Sequence, residues 1–198
     1  MLIFQTGIFI FNSFILIDDS FIIASLSACH HKNINGSILI FAAMTVTIRP
    51  GTKEDVPQTL ALIHELAHYE QAKDAVTNTV EDMVRDGFGK QPIFGLLVAE
   101  LDGKVVGIAI YFTKYSTWKG KGIYLDDIII TEAHRGKGIG RLLFERVIRI
   151  AKEEHAKGLW WQVLDWNEPA INFYNKFSAE LDGEWINGKL DEEQLKLF

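Results

Sequence analysis

Gly122-Ile123-Tyr124-Leu125-Asp126-Asp127-Ile128-Ile129-Ile130 runs directly into Thr131-Glu132-Ala133-His134-Arg135-Gly136-Lys137-Gly138-Ile139-Gly140. The first nine residues read as a long strand, and the triple isoleucine predicts burial on both of its faces. Two acidic residues inside such a strand need a reason. The next ten residues open a helix that reaches Lys152, with Leu142, Leu143, Val147 and Ile150 on its apolar side. A strand, a glycine-rich turn and a helix N-terminus form an anion site, because unpaired N–H groups and the positive end of the helix dipole face outward. Glycine there allows close approach of a phosphate to the backbone. The turn is not GxGxxG and lacks the GK[ST] ending, which weakens dinucleotide and nucleoside-triphosphate readings. Glycines also punctuate ordinary tight turns, so the surroundings decide.

Upstream, Val46-Thr47-Ile48 predicts a short strand ended by Pro50, with Thr52 or Asp55 to cap a following helix. In that helix Val56, Leu60, Ile63 and Ala67 recur at helical spacing, and Leu62 and Leu66 widen the stripe. Residues 77–86 predict a second short helix. Residues 94–100 and 105–111 flank Leu101-Asp102-Gly103-Lys104, and Asp-Gly between apolar runs signals a hairpin. Downstream, residues 159–164 (LWWQVL) predict a further strand. Asn167 or Glu168 then caps a short helix with Pro169 in its first turn.

The chain has 198 residues, 20 basic and 26 acidic, a net charge of −6 and one cysteine. This size supports one domain with a substantial core. The acidic balance argues against a nucleic-acid partner and suits a small cation better. Cys29 alone excludes an intramolecular disulfide framework, and a reducing compartment, the cytoplasm, is the expectation. Residues 1–43 carry only three charged side chains, Asp18, Asp19 and Lys32, and six of the thirteen phenylalanines. Their apolar start, 1–17, would span roughly 25 Å as a helix, short of the ~30 Å hydrocarbon core, with no basic residue before it. The expectation is that 1–43 is an apolar extension outside the domain, either a misassigned start or a weak membrane anchor, and that the working domain is 44–198.

Arg135-Gly136-Lys137-Gly138-Ile139-Gly140 resembles the R/Q-x-x-G-x-G/A acetyl-CoA motif of the GNAT superfamily of N-acetyltransferases. Tyr124-Leu125-Asp126-Asp127, Trp166-Asn167-Glu168-Pro169, Asn172-Phe173-Tyr174 and Leu66-Ala67-His68-Tyr69-Glu70 resemble its diamine (spermidine/spermine, thialysine) branch. The likeness runs from about Ile48 to Trp185. It implies an α/β fold with a central mixed, largely antiparallel sheet whose central strands splay apart, flanked by helices.

The resemblance also implies an activity: transfer of an acetyl group from acetyl-CoA to a primary amine of a diamine, polyamine or lysine-like diamino acid, by direct attack in a ternary complex. No metal is implied. The cosubstrate would lie along Ile128 and Ile130, with its pyrophosphate on the backbone of Arg135, Gly136, Lys137, Gly138, Ile139 and Gly140. The Ile128 N–H would face the thioester carbonyl. Asn167 would contact the pantetheine arm or pyrophosphate, and Tyr174 would protonate the departing thiolate. His68, Tyr69, Glu70, Trp118, Asp126, Asp127 and Trp185 fall on the amine side. An amine of pKa around 10 arrives protonated, so carboxylates must attract it and help remove a proton.

Strand alternation predicts that Asp126 and Asp127 point to opposite faces. The resemblance aligns Asp126 with the family's substrate carboxylate and so implies that it meets the amine, directly or through a water, with Asp127 left to the fold or to the partner subunit. The resemblance implies a homodimer, with C-terminal strands in segments 180–185 and 190–198 at its interface and Trp185 near the partner's amine pocket. Two positions depart from the branch pattern. Ser116-Thr117-Trp118 replaces Asp-Pro-Trp and removes one carboxylate for a distal ammonium. Ser178 replaces a glycine where φ > 0 is costly.

Two rival readings remain. One is an acyl-CoA-binding or regulatory module that retains the fold without turnover. The other is a zinc hydrolase, because His64-Glu65-Leu66-Ala67-His68 matches HExxH, although no third ligand is singled out by spacing.

Overall fold

A computed structural model describes residues 45–198 and, upstream, the backbone of two strands, β1 (Phe14–Ile17) and β2 (Ser20–Ile23). Cys29 and Met44 lie outside the described residues. Two compact units are present, Met1–Trp161 and Gln162–Phe198.

In the first unit, β3 (Val46–Pro50), β4 (Gly95–Leu101), β5 (Lys104–Ser116), β6 (Gly120–Ile130) and β7 (Leu159–Trp160) follow β1 and β2 in sheet order. Every neighbouring pair is antiparallel except β6 and β7. A parallel pair needs a crossover, which α3 (Ile139–Glu153) supplies. The β4–β5 turn is Asp102-Gly103, both at positive φ (50° and 75°), the conformation that favours Asp-Gly in two-residue hairpins.

Helices α1 (Val56–Tyr69) and α2 (Val80–Phe88) cover one face of this sheet. Val56 and Leu62 of α1 and Met83 of α2 form a core with Leu96, Val98, Ile108, Ile110 and Ile129 from the strands beneath. Leu60, Ile63 and Leu66 pack against its rim, so the apolar stripe of α1 is core, while His64 and His68 are exposed. The α3 helix packs on β5 and β6, burying Leu142, Leu143, Phe144 and Val147, and Phe144 meets Trp161 edge-on at 5.3 Å. The parity of the register turns α3 to the sheet face opposite α1 and α2.

Thr52 caps a short 3-10 turn, Lys53–Asp55, and α1 starts at Val56 with Pro57 in its first turn. Arg49 holds this junction through Asp55 (2.7 and 2.9 Å) and Glu100 (2.8 Å). The guanidinium keeps the Asp55 carboxyl below the usual carboxylate range.

In the second unit Asn167 is the N-cap of α4 (Glu168–Asn175), its side chain accepting the Ala170 N–H at 3.3 Å. A last turn, α5 (Glu192–Leu195), is capped by Asp191. Two expectations are corrected. Of residues 159–164 only Leu159 and Trp160 pair as a strand. Segments 180–185 and 190–198 form no strands, and among the described residues none pairs with them.

Candidate active site

A one-residue register shift in β6 decides where the two aspartates point. Ile108 stands opposite Ile129 and Ile110 opposite Asp127, but Tyr111 stands opposite Leu125, so Asp126 is an extra residue. Such a bulge breaks the two-residue alternation of side chains. On β5, Ile108, Ile110, Phe112 and Lys114 share the α1 face. Their partners Ile129, Asp127, Tyr124 and Gly122 share it too. Asp126 follows Leu125 of the opposite face and so returns to the α1 side. The expectation of opposite faces for Asp126 and Asp127 is therefore wrong, and both carboxylates reach the same side of the sheet.

Electrostatics agree with that placement. Asp127 is half-buried, and its carboxyl is pushed up to about 6 by burial first, then by the charges of Asp126 and Glu70. Desolvation also raises Asp126 and Glu70, the latter just past the C-terminus of α1. The Tyr124 phenol is raised by burial and by Asp126. Three carboxylates and a phenol thus converge in one half-dry patch. Of the other residues expected on the amine side, Trp118 is 83% exposed in the β5–β6 turn and His68 is exposed on α1. Tyr69 is half-buried beneath Arg135, whose guanidinium lies 5.2 Å from its ring centroid.

The next feature is an unpaired strand edge. Register between β6 and β7 covers only Ile123 with Leu159 and Tyr124 with Trp160. The Thr131 N–H donates to the Val106 carbonyl of β5 at 3.0 Å, so alternation turns the Ile128 and Ile130 N–H groups the other way. Among the described residues no strand pairs with them on that side. Pairing of β6 with β7 stops at Tyr124 and Trp160, and from residue 125 onward β6 has no neighbour on that side among the described residues.

At the end of that edge lies the glycine turn. Gly136 and Gly138 have φ of 74° and 84°, and a methyl group added at either would meet nothing within 4 Å. Gly138 is the N-cap of α3 and brings no side-chain cap, which leaves the first N–H groups of α3 open for an anion. This cradle fits a pyrophosphate. The Arg135 side chain turns inward instead. Its Nε donates to the Ile130 carbonyl at 2.8 Å, and its Nη2 lies 3.2 Å from Glu65. Lys137 donates to the Ala133 carbonyl at 3.0 Å.

Glu65 therefore has a structural task at the turn. Its Oε1 also accepts the Glu132 N–H at 2.9 Å. Among the described residues no group of three His, Cys, Asp or Glu side chains is placed to hold a metal. The sequence reading missed this tie, because HExxH drew Glu65 toward zinc. It also missed Tyr124, which the two-residue spacing from Asp126 could have revealed.

In the second unit Tyr174 is 4% exposed, and burial raises its phenol well above the ordinary range. Phe173 packs edge-on to it at 5.1 Å. Trp185 and Ile186 are 75% and 97% exposed. Ser178 adopts φ of 56°, the left-handed conformation expected at that position.

Comparison with known proteins meets the same geometry. Residues 60–178 match the Acetyltransferase (GNAT) family. The thialysine N-epsilon-acetyltransferase of Bos taurus is 39% identical over 143 residues, 68% of this chain and 84% of that protein. The spermidine/spermine N(1)-acetyltransferase-like protein 1 of Homo sapiens is 37% identical over 158 residues, 75% of this chain and 23% of that protein. Among solved structures, an integron cassette protein of V. cholerae shares the fold with a TM-score of 0.63. It is 24% identical, and the match covers 77% of this chain and 96% of that one. With an open strand edge, a glycine cradle at a helix N-terminus and this span of matching sequence, the chain belongs to the acetyltransferase (GNAT) family.

Proposed function

We propose that this acetyltransferase moves the acetyl group of acetyl-CoA to a primary amine of a small cationic substrate, a diamine, polyamine or lysine-like diamino acid. The observation that carries the amine is the convergence of Glu70, Asp126 and Asp127 on one face, with the bulge adding the second aspartate. A protonated amine is attracted to that patch. Asp126 contacts it directly or through a water and takes its proton, and Asp127 joins the amine site rather than serving the fold alone.

The free nitrogen lone pair attacks the thioester carbon, and the carbon–sulfur bond breaks. Negative charge on the carbonyl oxygen is met by the Ile128 N–H at the open edge of β6. The thiolate takes its proton from Tyr174, a phenol that burial keeps protonated, and the second proton that the nitrogen sheds as the amide forms restores that phenol. Pyrophosphate rests on the 135–140 backbone, with Ile130 beside the pantetheine arm and Asn167 at the arm or the pyrophosphate.

The working domain in this reading is 44–198. The β1–β2 hairpin adds to the β3 edge, three strands away from β6. No described helix is long and apolar enough to cross a membrane, and the proposed site of action is the cytoplasm. A homodimer is the proposed assembly, with exposed Trp185, Ile186 and Phe198 at its contact. The test is thiol release from acetyl-CoA with a panel of diamines, polyamines, basic amino acids and peptides. Turnover with small amines alone is expected. CoA binding with no turnover on any amine would sink the reading.

A further inference from the structure

One cation on the carboxylate face has no task in the scheme above. Lys114 of β5 stands opposite Gly122, on the side that carries Phe112, Tyr124, Asp126 and Asp127. Its ammonium lies 5.2 Å from the Tyr124 ring centroid and 5.5 Å from that of Trp160. Trp160 reaches this position because residue 122 is glycine: a Cβ there would come within 1.8 Å of the indole. Phe112 packs on Tyr124 at 5.1 Å and steadies the other ring. Among the described residues Lys114 makes these ring contacts and no ion pair. The ammonium is therefore held in place by aromatic faces while keeping its charge for something else.

Its place relative to the carboxylates follows from the register, because its ring partner Tyr124 precedes Asp126 on the same face of β6. Tyr124 and Asp126 are two residues apart, roughly 6–7 Å. That is about the span of a lysine or ornithine side chain. A substrate whose amine faces Asp126, Asp127 and Glu70 places its other end beside Lys114. A second ammonium at that end is repelled, and a carboxylate is attracted. The adjacent turn, Ser116-Thr117-Trp118, supplies no carboxylate to offset the repulsion.

We propose that Lys114 is a specificity residue that receives the α-carboxylate of a basic amino acid while its side-chain amine faces the three carboxylates, and that it disfavours diamines and polyamines. This rests on the acetyl-transfer reading above.

The experiment uses substrate pairs that differ only by a carboxylate: L-lysine against cadaverine, and L-ornithine against putrescine. kcat/KM is measured for each with the full chain and with Lys114→Met and Lys114→Glu. The wild type should prefer the amino acid of each pair by about tenfold, the difference one charge-assisted contact supports. Lys114→Met should reduce that preference to about threefold or less by raising KM for the amino acid, and Lys114→Glu should invert it. The KM for acetyl-CoA should stay unchanged in both variants, which reports intact folding. Equal or better use of the diamines by the wild type, or a preference that survives Lys114→Met, overturns the assignment. If no amine is acetylated, the acetyl-transfer reading fails separately. Calorimetry with L-ornithine and putrescine then decides the carboxylate seat by itself. Tighter binding of L-ornithine that disappears in Lys114→Met supports it, and equal binding in both proteins removes it.

Discussion

The carboxylate of Glu65 on α1 lies 3.2 Å from the guanidinium of Arg135 in the glycine turn and accepts the Glu132 N–H at 2.9 Å. Arg135 in turn donates to the Ile130 carbonyl and lies over Tyr69, the residue next to Glu70. The helix end that carries Glu70 is thus tied to the turn that would hold pyrophosphate. Removing Glu65 leaves the Glu132 N–H and one guanidinium face without their acceptor. Glu65→Ala should raise the KM for acetyl-CoA about five- to tenfold, whereas Glu65→Gln, which keeps one acceptor oxygen, should recover most of the loss. Initial rates against acetyl-CoA at saturating amine check this, and an unchanged KM in Glu65→Ala would refute it.

Asp127 is held partly against its charged form. Its folded-state pKa, about 6, lies above the ordinary value of 3.8. A raised carboxyl contributes stability below 3.8 that is lost as pH rises through about 6. Asp127→Asn should therefore be more stable than the wild type at pH 7.5, by about 1–2 kcal/mol after allowing for solvent screening, and nearly equal to it below pH 4. Urea unfolding at the two pH values measures the difference. The same variant should raise the amine KM, so added stability would coincide with weaker substrate binding.

Tyr174→Phe removes a proton donor and keeps the ring that fills its buried position. Turnover should fall about 10²-fold or more with little change in the dissociation constant for CoA. Turnover within about twofold of the wild type would take the acid role away from Tyr174.

Gly138→Ala adds a methyl group that meets no atom of the chain but forces a residue with Cβ to hold φ of 84°. The strain costs about 1–2 kcal/mol, and the methyl stands where a phosphate would approach the helix N-terminus. Loss of CoA affinity larger than the loss of stability is expected. Thermal unfolding read beside CoA titration separates the two, and a purely parallel loss would count against a phosphate at this turn.

Much of this arrangement is legible in the sequence. Periodicity identified α1 and α3, and Asp102-Gly103 marked the hairpin that the positive φ values confirm. Ser178 was expected in a left-handed conformation and adopts one. These features depend on neighbours in sequence. The bulge at Asp126 depends on how β5 and β6 pair, and no local property of Tyr-Leu-Asp-Asp announces the extra residue. The short extent of β7 has the same origin. Residues 159–164 carry strand-forming side chains throughout, yet a ladder exists only where a partner strand lies alongside. Lys114 escaped notice because its two aromatic partners come from different strands, one of them 46 residues away.

The unpaired residue in β6 also makes the count of residues, as much as their identity, a determinant of the proposed amine site. Deleting one position between Tyr124 and Ile128 would restore strict alternation and leave a single carboxylate on the α1 side, with every remaining letter of the motif still readable. Two chains that both spell Asp-Asp at this place can therefore offer a substrate different local charges. The way to tell them apart is to number their strand partners from the β5 side rather than to compare the two letters.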